Sequence, residues 1–116
     1  MRKMILLALA TALVAIGTAS AKTVTVTITK NGFGPKSAGV VPNDVVQFMN
    51  SDSTAHDMAS NPHPEHTDCT EINSVGFLNP GQSRQTGNLN TARACGFHDH
   101  GNPNNTNLQG SVVVVQ

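Results

Sequence analysis

Lys22-Thr23-Val24-Thr25-Val26-Thr27-Ile28-Thr29-Lys30, "KTVTVTITK", decides the fold class. Val24, Val26 and Ile28 alternate with threonines at 23, 25, 27 and 29. Period two built from β-branched residues is the pattern of a strand with one covered face. Working outward, "NGFGP" (31–35) turns the chain, and Val40-Val41 lead into a second turn at Pro42-Asn43-Asp44. "VVQFMN" (45–50) is a strand with Val46 and Phe48 on one side. "VGFLNPGQSRQTGNL" (75–89) reads as strand, turn at Asn79–Gln82, strand. "ARACGFH" (92–98) adds another, and "GSVVVVQ" (110–116) closes the sheet, its Val112–Val115 run fitting a strand covered on both faces. Only residues 51–74 break the pattern: "SDSTAHDMASNPHPEHTDCTEINS" is polar and aperiodic, a long loop with room for one short helical turn. These elements predict an all-β domain, a small antiparallel Greek-key β-sandwich.

The first 21 residues stand apart. Arg2 and Lys3, an apolar run from Met4 to Ile16, and Ala19-Ser20-Ala21 have the layout of a secretory signal peptide cleaved after Ala21. The domain is then 22–116, exported to a periplasm or secreted. The apolar run is short for a bilayer span, and no cysteine follows it closely to carry a lipid anchor. Residues 22–116 keep five basic side chains (Lys22, Lys30, Lys36, Arg84, Arg93) against seven acidic ones. A slightly acidic chain without a basic stripe has no footprint for nucleic acid.

The chemistry lies in five histidines confined to two stretches: His56, His63 and His66 in the polar segment, His98 and His100 at the end of the penultimate strand. Period two puts His98 and His100 on one face. Neutral imidazoles converging from the loop and the strand end make a site for a borderline metal ion, with copper highest in the affinity order. The expectation is that all five meet at one end of the sandwich. Met58, two residues after His56, is more at home in packing than as a thioether ligand. Asp57 and Asp99 each adjoin a histidine and fit better as groups orienting an imidazole, or facing solvent, than as ligands. Glu65, between two histidines, could reach a metal but is equally an ordinary solvated charge.

"VTVTITKNGFGP", "VVPNDVVQFMNSDSTAHDM" and the tail "CGFHDHGNPNNTNLQGSVVVV" together resemble the cupredoxins, small exported copper-binding β-sandwiches. The resemblance covers nearly all of 22–116. It implies copper as the cofactor and His56 as the N-terminal ligand. The chain departs from the family's pattern at the tail, where Leu108-Gln109 stands in place of the axial methionine before Gly110. "ASNPHPEHTD" and "HDHGNP" are similar to a cupredoxin-like branch in which the ligand cysteine is absent. Aligned on the histidines, Phe97 takes that cysteine's place.

Two cysteines remain, Cys69 and Cys95. Cys95 is either a thiolate ligand, which would bring a one-electron redox site, or half of a Cys69–Cys95 disulfide; an exported chain with two cysteines favours the disulfide. The functional expectation is an exported copper-binding protein for copper handling or single-electron transfer, with a redox or copper-delivery protein as partner. A small mononuclear copper enzyme and a metal-free binding module are the alternatives, and no enzymatic nucleophile–base spacing stands out.

Overall fold

The computed structural model describes residues 21–116, so the leader expectation falls outside it apart from Ala21. Two sheets face each other. The first is ordered β2 (Gly32–Gly34), β1 (Thr23–Thr29), β4 (Val45–Asn50), β7 (Ser83–Gln85). The second is ordered β3 (Ser37–Val40), β9 (Gln109–Val114), β8 (Arg93–Asp99), β5 (His56–Ser60), β6 (Gly76–Leu78). The alternation in β1 does what its pattern implies: Val26 and Ile28 are fully buried while the threonines lie outside. In β4, Val46 and Phe48 face the same core.

The sandwich is β throughout, but its sheets are mixed rather than purely antiparallel. β1 pairs with β4, and β3 with β9, in parallel. The cause is the path between β1 and β4, which crosses to the opposite sheet for β3 before returning; a crossing chain brings the next strand in parallel, where a hairpin would reverse it. The final valines also differ from expectation. Val112 and Val114 are buried, Val113 on the other face is half-buried and Val115 is exposed, so the second face is only partly covered.

Both turns fall where Pro and Asn or Gly place them. Asp44 N–H donates to Val41 O (3.1 Å) around Asn43 at φ 75°, and Gln82 N–H donates to Asn79 O (3.0 Å) around Gly81 at φ 83°. A third turn position at positive φ is where Gly or Asn is least strained. The Asp44 carboxylate accepts from Lys22 N–H (2.8 Å) and Val41 N–H (3.0 Å), tying the start of β1 to the turn.

Phe33, Phe48 and Phe97 meet edge-to-face between the sheets, with centroids 5.0–6.5 Å apart. Such pairs add about 0.5–1.5 kcal/mol each beyond burial. The expected helical turn is α1 (Thr70–Asn73), too short to stand alone. Buried Ile72 and the Cys69–Cys95 disulfide hold it to the sandwich. Among the described residues no helix is long and apolar enough to cross a membrane.

Candidate metal centre

Along β8, Cys95, Phe97 and Asp99 point into the core, so His98 and His100 project from the opposite, outer face of the five-stranded sheet. Their shared face is as the two-residue spacing predicted. Residues 61–69 fold back over this face and bring His63 and His66. The loop is knit to the sheet by its backbone: Asn61 N–H donates to Gly96 O (2.9 Å), Asp68 N–H to Asn61 O (2.9 Å) and Cys69 N–H to Ser60 Oγ (2.8 Å). His66 itself is held in the left-handed region at φ 56°. An L-residue stays there only where its surroundings insist, and such strain gathers at functional sites.

His63, His66, His98 and His100 each offer a ring nitrogen, and these atoms all lie within 4.8 Å of one another. Five of the ring pairs have centroids 4.9–5.4 Å apart. A metal–nitrogen bond of about 2.0–2.1 Å plus a ring radius of about 1.1 Å puts tetrahedral centroids about 5.1 Å apart. Five of the six ring spacings are therefore those expected of imidazoles around one ion.

The tautomers agree. His66 Nδ1–H donates to Ser60 O (2.8 Å), and His98 Nδ1–H donates to Asn61 Oδ1 (2.6 Å). Both rings thus keep their lone pair on Nε2, on the side turned toward the group. Holding an imidazole by its second nitrogen is how metal-binding histidines are oriented. His100 Nδ1 lies 3.0 Å from His66 Nε2. His98 Nε2 has no hydrogen-bond partner, and its residue is only 2% exposed. A buried polar atom left bare costs about 1–3 kcal/mol, and an ion at the centre would satisfy it. Burial, then the neighbouring His66, His63 and His100 charges, lowers the His98 pKa below its ordinary value, favouring the neutral ring a metal requires.

His56 is not in this group. It lies on the core side of β5, 5% exposed. Its Nδ1 meets Asp99 Oδ2 at 2.7 Å and its Nε2 meets Asp52 Oδ2 at 2.9 Å. Burial pulls its pKa down, but the bonds to Asp52 and Asp99 and their charges outweigh this, and the pKa is raised. A ring donating at both nitrogens has no lone pair for a metal. The convergence is thus of four histidines on the sheet's outer face, with the fifth beneath it.

Cys95 forms the disulfide with Cys69, so its sulfur is spent in the crosslink rather than offered as a thiolate. Met58 is core packing, 1% exposed. Asp99 does orient an imidazole, as its position suggested, but that of His56 and not of its sequence neighbours. Asp57 and Glu65, with Met58, His66, Asn73 and His100, line a cavity of about 370 Å³ beside the group. Sequence reasoning passed over Asn61, which sets the His98 tautomer, and Gly96. A Cβ at Gly96 would collide with the Asn61 side chain, so the glycine is what leaves room for it. A glycine inside the β-patterned "ARACGFH" was the available signal of a close approach.

Among solved structures, a purple cupredoxin from Nitrosopumilus maritimus superposes with TM-score 0.60 at 14% identity, over 79% of this chain and 99% of that one. The fold is that of the cupredoxins. An oxidised plastocyanin from Dryopteris crassirhizoma matches at TM-score 0.60 and 18% identity, over 78% of this chain and 99% of that one. A Cu(I) form of an amicyanin variant matches at TM-score 0.62 and 18% identity, covering 80% and 82%. No protein-family model matches the chain, and no curated protein does. Within this cupredoxin scaffold the four-histidine group is set by the 61–69 loop.

Proposed function

We propose that this protein is an exported copper-binding cupredoxin-fold protein that holds one copper ion on His63, His66, His98 and His100 and passes it on. The observation that carries this is the bare, buried Nε2 of His98, facing three further imidazoles at ion-binding spacing. Copper, when bound, supplies a single-electron couple. An all-nitrogen donor set without a thiolate suits holding and delivery better than fast electron exchange. Asn61 and the Ser60 carbonyl hold two of the rings in their ligating tautomers. His63 and His100 are exposed, so a partner protein reaches the site from solvent. Export rests on the leader-like residues 1–21 and on the disulfide, a bond of oxidising compartments.

The near-equal ring spacing also suits zinc, which prefers four tetrahedral ligands. Competitive titration of wild type and His98→Ala with copper(I), copper(II) and zinc separates the two. The expected result is one ion per wild-type chain with copper displacing zinc. Ligand at about 100 times Kd then stabilises by about 2.7 kcal/mol, a rise of roughly 10–20 °C in Tm for a domain this size. His98→Ala loses that rise. A wild type whose Tm is indifferent to every metal would leave only the metal-free module.

A further inference from the structure

We propose that His56, clamped between Asp52 and Asp99 on the inner face of the five-stranded sheet, is a positioning residue that fixes the end of the ligand strand for metal capture. The inference rests on the four-histidine reading and extends it to a residue outside the group.

Asp99 is the link. It sits between His98 and His100 in sequence and is 1% exposed on the core side. Its Oδ2 meets His56 Nδ1 at 2.7 Å, and its Oδ1 accepts from Asp57 N–H (3.1 Å) and Gly101 N–H (3.0 Å). Asn102 Nδ2 adds a long contact to Oδ2 at 3.4 Å. One carboxylate thus gathers the neighbouring strand and the turn after His100. His100 N–H donates in turn to Asp57 O (2.7 Å), so the backbone carrying this ligand is fixed from both sides. A carboxylate this buried is stable only when charge-paired or fully hydrogen-bonded. His56 Nδ1–H donates the shortest of these bonds, and Asp52 Oδ2 at 2.9 Å from Nε2 fixes the far side of the ring. Removing His56 leaves the buried Asp99 Oδ2 without its shortest hydrogen bond, the 2.7 Å contact to His56 Nδ1. Asp99 then shifts toward water, and the turn bearing His100 follows it.

The test measures metal affinity by chelator competition in wild type, His56→Ala, His56→Asn and Asp52→Asn, alongside the count of imidazole ligands by X-ray absorption. The expected loss in His56→Ala is about 10–100-fold, the range for removing a group that orients ligands, with one ion and an unchanged imidazole count. His56→Asn, whose amide N–H can reach Asp99, recovers most of the loss. Asp52→Asn shows a few-fold loss and covers the case in which His56→Ala does not fold. An imidazole count that falls by one in both His56 variants makes His56 a ligand and overturns the proposal. Unchanged affinity with reduced stability in the variants makes it core packing and overturns it equally. A wild type that binds no metal is a different outcome, the failure of the four-histidine reading itself.

Discussion

Replacing both Cys69 and Cys95 by alanine should weaken the fold and the metal site together. Cys69 lies three residues after His66, and Cys95 three residues before His98. The crosslink therefore joins the two segments that supply the ligands. It closes a sequence separation of 26. The chain-entropy relation gives about 3.5 kcal/mol for a loop of that size, or roughly 14–28 °C in Tm for a domain of this length. Metal affinity should fall as well, because binding must then close a loop that the crosslink now closes beforehand. If the whole closure cost fell on binding, the loss would be roughly 400-fold. The bonds from Asn61 to Gly96 and from Cys69 to Ser60 hold part of the loop without the disulfide, so a loss between about 10-fold and about 400-fold is expected. Urea unfolding of the metal-free double variant, and chelator competition on the same preparation, measure the two effects. A stability change under about 1 kcal/mol with unaltered affinity would refute the view that the crosslink organises the site.

Asn61→Ala, or Gly96→Ala acting on the same side chain by collision, frees the His98 ring to change tautomer; copper affinity should drop about 10–100-fold by competition titration while one ion still binds. In metal-free protein, His56 makes stability pH-dependent. Its folded pKa is raised above its ordinary 6.5, so its contribution is fully present below that value and is lost as pH rises through the folded pKa. Urea midpoints from about pH 6 to about pH 9 should decline in wild type, and His56→Asn should flatten the decline; a parallel decline in both would assign it elsewhere. Asp57 and Glu65 line the cavity beside His66 and His100, and among the described residues no lysine or arginine lines it. Neutralising both (Asp57→Asn, Glu65→Gln) should slow cation capture in stopped-flow by about tenfold at low salt, with the difference vanishing at high salt.

Much of the sandwich is legible because its strands bury one face. Val26 and Ile28 in β1, and Val46 and Phe48 in β4, announce period two and end in the core. The parallel pairings are not legible, since whether a chain returns by hairpin or crosses to the other sheet is decided by packing between sheets, with no local residue signal. The spacing of His98 and His100 predicts a shared face but not which one. That follows from their neighbours on the other face: Phe97, whose ring joins Phe33 and Phe48, and Asp99, buried between the two histidines. Likewise five histidines in two clusters predict a metal group without dividing ligands from support. What divides them is Asp99, 43 positions from His56, and Asp52 in the segment just before it. Those contacts are tertiary, and no periodicity carries them. Composition and compartment alone favour the disulfide from the sequence, and the fold supplies the proximity, with Cα atoms 5.7 Å apart.

The central claim is that one ion sits among the rings of His63, His66, His98 and His100 with no sulfur beside it. X-ray absorption on protein loaded with one equivalent of copper addresses this most directly. The expected result is a shell of nitrogen scatterers with the outer-ring signature of four imidazoles. A sulfur scatterer near about 2.3 Å, the length of a metal–thiolate bond, or a shell with two imidazoles or fewer, would contradict it.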